Sequence, residues 1–421
     1  MTQQGSGSIL SKRYIAAIVA GNALEFYDFL VFSFFAVPIG KAFFPSDRPE
    51  TSLLLALATF GAGFLTRPLG GIVIGLYANR AGRKPAMLLS FGLMGVSMLG
   101  LACTPAFPAI GLWAPVLAIA WRLVQGFALG GEVGPTTATL VEGAPAGRRG
   151  LFGQMQIATQ QAAVTLVGLT GFLLSSHLDA AALNGWGWRA ALLAGLLVVP
   201  VGLVVRNSLP ETLHVSSMAE VPAARGLAPR IVALTFVIMA SSTVGTYVLN
   251  TLTTYAIGTL KMDPGVAFAA SLVRGAFGVS FALIGGALTD RFGRRGPMIV
   301  TTLIAGVTAL PLMMLVATTK APAALLLTSA VLGAVVAIGG TPALTVAIEA
   351  LPARLRAGTA GATYAFAISV FGGSTPFIVT WLTQVTHNPL MPGWYLAGAA
   401  AIGLVAMAFL PETAPTRARK N

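Results

Sequence analysis

The chain has 421 residues, of which 56% are hydrophobic and only 9% are charged, and its formal net charge is +13. Soluble globular domains carry roughly 25% charged residues, so the composition excludes an ordinary soluble protein and indicates one that lies largely in lipid. In that setting the positive charge indicates basic cytoplasmic loops and not a nucleic-acid partner. The single cysteine, Cys103, excludes an intramolecular disulfide framework.

Apolar stretches long enough to cross a bilayer follow one another along the whole chain. A spanning helix needs about 20 predominantly apolar residues, and charged residues, prolines and glycines separate twelve such stretches. The first contains Glu25 and Asp28 and has no small-residue cleavage site, so we expect a retained helix and not a signal peptide. The predicted spans are about 14–39, 51–77, 85–104, 110–138, 151–175, 188–209, 230–257, 266–287, 297–317, 322–347, 358–383 and 393–410. The pattern therefore predicts an all-α membrane protein with twelve transmembrane helices.

Basic residues are distributed unevenly between the predicted loops. If the N-terminus is cytoplasmic, eighteen of the 26 lysines and arginines fall in cytoplasmic segments and four fall in outer loops. Because cytoplasmic loops are enriched in Lys and Arg, both termini are predicted to be cytoplasmic. The four outer residues are Lys41, Arg48, Lys261 and Lys320. The remaining four, in or at the edge of spans, are Arg67, Arg122, Arg189 and Arg274.

Three motifs recur in the same order in the two halves of the chain. Their paired copies are Gly75–Lys84 and Gly286–Arg295, then Glu142 and Glu349 with the arginines that follow each, and then Pro210–Thr212 and Pro411–Thr413. Such duplication is a recurrent plan of transporters, with the substrate site between the halves. We therefore predict an N-terminal six-helix bundle at 1–212, a cytoplasmic linker at 213–229 and a pseudo-symmetric C-terminal bundle at 230–421.

The duplicated loop motif G-x-x-x-[DN]-R-x-G-R-[RK], at Gly75 and Gly286, resembles the signature of the major facilitator superfamily. Arg122-Leu-Val-Gln125-Gly126 and the two Pro-Glu-Thr segments resemble further motifs of that family. The resemblance covers essentially the whole chain and implies the major facilitator fold. The chain departs from it at Asn79, where the family usually has Asp, so we expect a weaker loop latch in the N-terminal half.

Other segments resemble the metabolite:proton symporter branch of that superfamily. They are Gly21–Phe29, Thr66–Gly70 and Gln125–Glu132. Gln160-Gln161, Phe371–Pro376 and Pro392–Trp394 are most similar to citrate–proton symporters. The branch carries citrate and other di- and tricarboxylates, 2-oxoglutarate, shikimate, and zwitterions such as betaine and proline.

The resemblance implies a proton-coupled symporter that imports a small organic anion, citrate or a related tri- or dicarboxylate, by alternating access. The expected location is the bacterial inner membrane, and the expected partners are the anion, protons and lipid, with the chain working as a monomer. Another organic acid or a zwitterionic osmolyte is an alternative substrate. A proton-driven drug exporter and a non-transporting receptor are alternative functions. No nucleophile–base pair and no metal-ligand spacing occurs, so no enzyme activity, cofactor or metal is expected.

Ionisable residues inside the first two spans are the candidates for proton coupling. A charge at the bilayer centre costs about 2.5–3.5 kcal/mol on insertion scales and marks a functional site. Glu25 and Arg67 are expected at similar depth, where they can form an ion pair that is either static or functional. Asp28 lies one turn beyond Glu25, and two carboxylates beside one arginine do not both ionise readily. Asp28 is the preferred proton carrier, with Glu25 and Glu132 as alternatives.

Two arginines in opposite halves are candidates for binding a carboxylate. A guanidinium grips a carboxylate through two parallel hydrogen bonds. Arg122 is expected either to bind substrate or to hold Asp28 until that residue is protonated. Arg274 is expected to contact substrate from the C-terminal half, the alternative being a structural or lipid-edge position. Further polar candidates for substrate binding are Gln156, Gln160, Tyr247, Asn250 and Tyr364.

The charged residues of the repeated loops are expected to form a cytoplasmic gate. Arginines of one loop can pair with carboxylates near the next and hold the cytoplasmic side closed. The alternative is a solvated basic loop that only sets the topology. The predicted gate consists of Arg80, Arg83, Asp290, Arg291, Arg294, Glu142 and Glu349.

Overall fold

The structure is a computed structural model, and it describes residues 12–81, 83–130, 140, 144–145, 147–197, 200, 228–340, 345–346, 349 and 362–413. The helices of the N-terminal half are α1 Lys12–Phe34, α2 Ala36–Phe43, α3 Pro49–Ala62, α4 Arg67–Ala81, α5 Arg83–Cys103, α6 Trp113–Leu129, α7 Arg149–His177 and α8 Trp188–Gly195. Short helical segments lie at Phe107–Ile110 and Ala180–Ala182, and a π-helix at Leu183–Gly187.

The C-terminal half has a corresponding series of helices. They are α9 Ala228–Gly258, α10 Pro264–Phe292, α11 Arg295–Thr319, α12 Pro322–Gly339, α13 Gly373–Thr386 and α14 Met391–Ala408, with a π-helix at Ile368–Gly372 before α13. Eight helices among the described residues are long and apolar enough to cross a membrane, or nine if the bent pair α1 and α2 forms one span. Two shorter apolar helices, Leu88–Cys103 and Trp113–Leu129, match further predicted spans. The all-α membrane fold is confirmed, and the predicted spans at 110–138, 188–209, 322–347 and 358–383 extend beyond the described residues.

The first predicted span is not one straight helix. It bends by 63° between Phe34 and Ala36. Pro38 explains the bend, because it has no backbone N–H to donate to the carbonyl of Phe34, four residues earlier, and its ring crowds that carbonyl. The ladder continues on either side, with Phe35 N donating to Val31 O at 3.0 Å and Ile39 N donating to Phe35 O at 3.1 Å.

Glycines allow α4 and α6 to pack with their backbones in contact. A Cβ atom at Gly70 of α4 would lie 1.8 Å from the carbonyl oxygen of Phe127 of α6, and one at Gly126 of α6 would lie 1.5 Å from that of Gly63, in the turn that precedes α4. Small residues at such crossings are the usual basis of helix association in membranes. The close approach brings Arg67 of α4 and Arg122 of α6 into one neighbourhood around α1.

The two halves pack along a seam between α7 and α10. A Cβ atom at Gly168 of α7 would lie 2.4 Å from the backbone nitrogen of Leu272, and one at Gly171 would lie 2.1 Å from the Phe268 ring. A second close approach joins the halves at Gly61, where a Cβ atom would lie 2.7 Å from the carbonyl oxygen of Gly373. The two halves therefore contact each other closely at these two places.

Candidate functional site

A buried polar chain connects α1 and α6 at the centre of the N-terminal half. Gln125 Nε2 donates to Asp28 Oδ1 at 3.0 Å, and Arg122 Nη1 donates to Gln125 Oε1. Asp28 and Arg122 are both fully buried. Asp28 Oδ2 and Arg122 Nε have no hydrogen-bond partner among the described residues, whereas Arg122 Nη2 donates to the carbonyl oxygen of Phe60 at 3.5 Å. The arrangement places a carboxylate and a guanidinium in contact through one amide side chain.

Gln125 is the member of this chain that sequence reasoning did not assign. It lies three residues after Arg122, on the same face of α6, which is the spacing at which helical side chains meet. This spacing was the sequence feature that could have identified Gln125 as a partner of Arg122. Its role as a bridge to Asp28 depends on the rotation of α6 against α1, which the motif alone does not specify.

Aromatic rings surround Arg67 and Arg122, the two buried arginines in the described part of this half. The Arg67 guanidinium carbon lies 4.6 Å from the centroid of the Phe29 ring, and the Arg122 guanidinium carbon lies 4.4 Å from the same centroid. Cation–π attraction stabilises each guanidinium where water is excluded. Glu25 is buried as well. Its predicted pairing with Arg67 stays a prediction.

Arg274 is buried in the C-terminal half in a different environment. Its Nη2 donates to Asn250 Oδ1 of α9 at 2.6 Å, whereas its Nε and Nη1 have no hydrogen-bond partner among the described residues. The Nε and Nη1 groups of this buried cation can each donate a hydrogen bond to a further oxygen.

The other predicted substrate residues meet at a small cavity between the halves. Gln156 and Gln160 of α7, Tyr247 of α9 and Tyr364 all line it. Gln160 Nε2 donates to the Tyr364 hydroxyl across the halves at 3.1 Å, and Gln156 Nε2 donates to Asn22 Oδ1 at 3.1 Å. Asn22 was not among the predicted site residues, and it donates in turn to Thr159. Arg274 and Asn250 are not among the residues that line this cavity.

The central cavity is closed in this structure. Its volume is about 30 Å³, which is room for about one water molecule, whereas small-molecule pockets usually measure about 300–1,000 Å³. A small-molecule ligand can therefore enter this cavity only if the halves separate.

The helix ends that carry the second loop motif, which we call the motif end (residues 290–295 with 149–151), are closed by a charge network. Asp290 accepts hydrogen bonds from the backbone N–H groups of Gly150 at 2.7 Å and Leu151 at 2.9 Å. Arg294 pairs with Asp290 at 2.9 Å and with Glu349 at 2.8 Å. Asp290 therefore caps the N-terminus of α7, where the helix dipole favours a negative charge.

Arg294 is held in its charged form by this network. Burial disfavours its charge, but hydrogen bonds and charge interactions with Glu349 and Asp290 outweigh burial and raise the pKa of Arg294 above its ordinary value. Glu412, in the second Pro-Glu-Thr segment, accepts from the backbone N–H of Arg294 at 2.8 Å. The motif that closes the last span thus contacts the loop between α10 and α11.

Not all predicted gate residues take part in this network. Arg80 and Arg291 are exposed, and the Arg291 guanidinium lies 5.4 Å from the Phe292 ring centroid. The side chain of Arg83 lies outside the described residues, as do Glu132 and Glu142. Their predicted roles stay predictions.

The opposite end of the bundle is open between the halves. We call it the far end, and it is formed by residues 37–53 together with 257–261 and 383–389. A cleft of about 740 Å³ lies there. Within the described part of the chain, the halves are bonded at the motif end, enclose a small central cavity and leave a cleft at the far end.

Comparison with known proteins identifies relatives over nearly the whole length. The family described as Major Facilitator Superfamily matches residues 18–376. The citrate-proton symporter of Klebsiella pneumoniae is 34% identical over 413 residues, covering 94% of this chain and 91% of that protein. The alpha-ketoglutarate permease of Escherichia coli (strain K12) is 33% identical, with 94% and 93% covered. The proline/betaine transporter of the same strain is 29% identical, with 96% and 84% covered.

Solved structures show the same fold. The crystal structure of a D-xylose-proton symporter matches with a TM-score of 0.75 at 19% identity, covering 95% of this chain and 98% of that one. A partially occluded inward-open structure of the xylose transporter XylE from E. coli matches with a TM-score of 0.73 at 18% identity, with 95% and 98% covered. Fold, repeated motifs and relatives agree: the chain is a multi-pass membrane protein of the major facilitator superfamily, a family of transporters and not of enzymes.

Proposed function

We propose that this chain is a proton-coupled symporter that imports a di- or tricarboxylate, with citrate as the leading substrate, by alternating access. Relatives named as a citrate-proton symporter and an alpha-ketoglutarate permease, each more than 30% identical, support this substrate class. Relatives named as proline/betaine transporters support a zwitterionic osmolyte as the second candidate.

The observation that carries the proposal is the charge balance of the buried central residues. Away from the two ends, the described bundle buries three arginines and two carboxylates, namely Arg67, Arg122, Arg274, Glu25 and Asp28. With both carboxylates ionised the set has one excess positive charge, and a proton on Asp28 makes the excess two. A dicarboxylate, or a tricarboxylate that keeps one proton, matches that excess, whereas a zwitterion leaves it uncompensated.

This balance couples the proton to the anion. If a proton on Asp28 strengthens anion binding, then by thermodynamic linkage a bound anion strengthens proton binding to the same extent. In the unprotonated state Gln125 connects Asp28 to Arg122. Protonation removes the negative charge of Asp28, which Arg122 stabilises through Gln125. The Arg122 guanidinium is then free to bind a substrate carboxylate. Proton and anion then cross together.

The cytoplasmic gate in this proposal is the motif end. The two bundles, 1–212 and 230–421, rock about the central site while the linker 213–229 joins them. The bonds from Gly150 and Leu151 to Asp290 hold the motif end closed while the far end is open. The chain works as a monomer in the bacterial inner membrane, with both termini and the motif end in the cytoplasm.

The test is uptake into proteoliposomes that contain the purified protein. Labelled citrate, 2-oxoglutarate, shikimate and betaine are supplied outside, with and without an imposed inward proton gradient. We expect a carboxylate to accumulate only with the gradient, and a protonophore to abolish the accumulation. Accumulation of betaine alone would favour the osmolyte function, and efflux driven by proton entry would identify an exporter; either result contradicts the proposal.

A further inference from the structure

The cleft at the far end collects positive side chains from both halves. Lys41 of α2, Arg48 at the start of α3 and Lys261 between α9 and α10 all line it, and all three are exposed. Glu50 is the one carboxylate of the lining, and His387 also lies there. With the histidine neutral, the lining has a net charge of +2.

Nearby acidic residues do not cancel this charge within the lining. Asp47 and Asp263 are close in sequence to Arg48 and Lys261, but neither lines the cleft. The Asp263 carboxylate accepts a hydrogen bond from the backbone N–H of Val266 at 3.2 Å, where it caps α10. Its negative charge is therefore engaged at the helix N-terminus.

Lys41 and Lys261 lie where two clefts meet. Both also line a neighbouring space of about 300 Å³, whose walls include Phe34 and Phe268. Lys41 reaches this position because the bend after Phe34 directs α2 away from the axis of α1. Lys261 is in the left-handed conformation, with φ of 57°, at the turn after α9.

The membrane topology of the chain does not explain why its outer basic residues meet at one cleft. Basic residues are scarce in the outer loops, and three of the four there line this one cleft, whereas the fourth, Lys320, is exposed elsewhere. A cleft of one sign with low-dielectric walls focuses its field and raises the local concentration of oppositely charged solutes by about 10- to 1,000-fold.

We propose that the far-end cleft is an entry site that concentrates di- and tricarboxylate anions before they reach the central site. The inference rests on the proposed function for its substrate class. Lys41 and Lys261, one from each half, provide the principal attraction, and Arg48 adds to it. Binding here is weak and electrostatic, so the anion is not retained when the halves separate at the centre.

The first experiment measures the electrostatic potential of the cleft and does not depend on transport. Thr51 lines the cleft and is exposed, and Cys103 is the single native cysteine. In a Cys103→Ser, Thr51→Cys protein, an anionic and a cationic methanethiosulfonate reagent are compared by their rates of labelling. We expect the ratio of anionic to cationic rates to fall about fivefold when Lys41→Gln and Lys261→Asn are added, and to fall in the same direction at high salt.

Lys320→Asn is the matched control for Lys261→Asn. Both lysines have left-handed backbones, with φ of 49° and 57°, a conformation that Asn tolerates well. Each substitution removes one outer positive charge, but only Lys261 lines the cleft. A ratio that does not change in the Lys41 and Lys261 variants, or that falls equally in Lys320→Asn, overturns the inference.

The second experiment measures uptake. In the Lys41→Gln, Lys261→Asn protein we expect the KM for citrate to rise about three- to tenfold while the maximal rate and the proton dependence stay unchanged. Lys320→Asn should leave the KM unchanged. If the native protein transports no carboxylate, the proposed function fails, while the labelling ratio still decides whether the cleft attracts anions. A lowered maximal rate with an unchanged KM contradicts an entry role.

Discussion

At the residue scale, the central feature is a carboxylate and a guanidinium that share one amide. Asp28, Gln125 and Arg122 form a chain with fully buried ends. Buried polar groups are favourable only when their partners are present, so a change at either end alters the other. This coupling makes the role of each residue measurable by substitution.

Asp28→Asn should abolish gradient-driven accumulation while exchange of labelled for unlabelled substrate continues. Asn keeps the size of the side chain and a hydrogen bond to Gln125, but it carries no titrating proton. We expect accumulation at least about tenfold lower, measured in the same vesicles as counterflow. Glu25→Gln is the comparison, and loss of accumulation in that protein alone would make Glu25 the carrier.

Arg274→Gln should weaken anion uptake and raise the melting temperature. Arg274 is buried with two donors that have no partner among the described residues, and removing an uncompensated buried charge is commonly stabilising. We expect a gain of about 2 °C together with a KM for citrate raised by about tenfold or more. A lower melting temperature with unchanged KM would identify a structural residue.

At the element scale, close helix approach and one helix cap define the architecture. Glycines permit α4 to contact α6 and α7 to contact α10, and Asp290 caps α7 from the opposite half. The contact between α4 and α6 keeps the N-terminal half together, the contact between α7 and α10 joins the two halves, and the Asp290 cap ties them at the motif end. Substitutions at the contact between α4 and α6 should therefore affect folding, and substitutions at the cap should affect gating.

Gly126→Ala should destabilise the N-terminal bundle. A Cβ atom there would lie 1.5 Å from the Gly63 carbonyl oxygen, so α6 and the turn after α3 have to move apart. Gly92→Ala in α5 is the control, because nothing lies within 4 Å of its added Cβ. We expect a lower melting temperature in detergent for Gly126→Ala, and an equal or higher one for Gly92→Ala. If Gly126→Ala and Gly92→Ala changed the melting temperature equally, the contact of α6 at Gly126 would not be tight.

Asp290→Asn should loosen the motif end. The neutral amide loses the charged contact with Arg294 and the charge-assisted bonds from Gly150 and Leu151, each stronger than a neutral bond. Hydrogen exchange at the amides of residues 150 and 151 should become about tenfold faster. Arg291→Gln, an exposed change in the same loop, should leave the exchange unchanged. If hydrogen exchange in Asp290→Asn were unchanged, the Asp290 cap would not hold the motif end closed.

At the scale of the whole molecule, sequence predicts the fold better than the site. Hydrophobic length and duplicated loop motifs determine the class, because bilayer thickness and backbone hydrogen bonding permit few alternatives. The buried depth of Asp28, Arg67 and Arg122 follows from their position along each span. Rotation about the helix axis does not follow, and this is why Asn250 as the partner of Arg274 was not predicted.

Contacts between distant segments were also beyond prediction. Lys41 and Lys261 are separated by more than 200 positions, and only the packing of the two halves brings them to one cleft. The bend that positions α2 depends on Pro38 within an otherwise apolar stretch, which hydropathy treats as part of one span. Patterns along the chain therefore identify the candidates, and the fold decides which of them meet.

The ring of Phe29 contacts two guanidinium groups, that of Arg67 from α4 at 4.6 Å and that of Arg122 from α6 at 4.4 Å. Two like charges consequently share a single electron-rich surface, so position 29 cannot change without disturbing both. Only another flat π system can take its place, and an aliphatic replacement of equal bulk should impair transport although it would satisfy the hydrophobic core. The substitutions tolerated at position 29 are then determined by the quadrupole of the aromatic ring and not by the volume of the side chain.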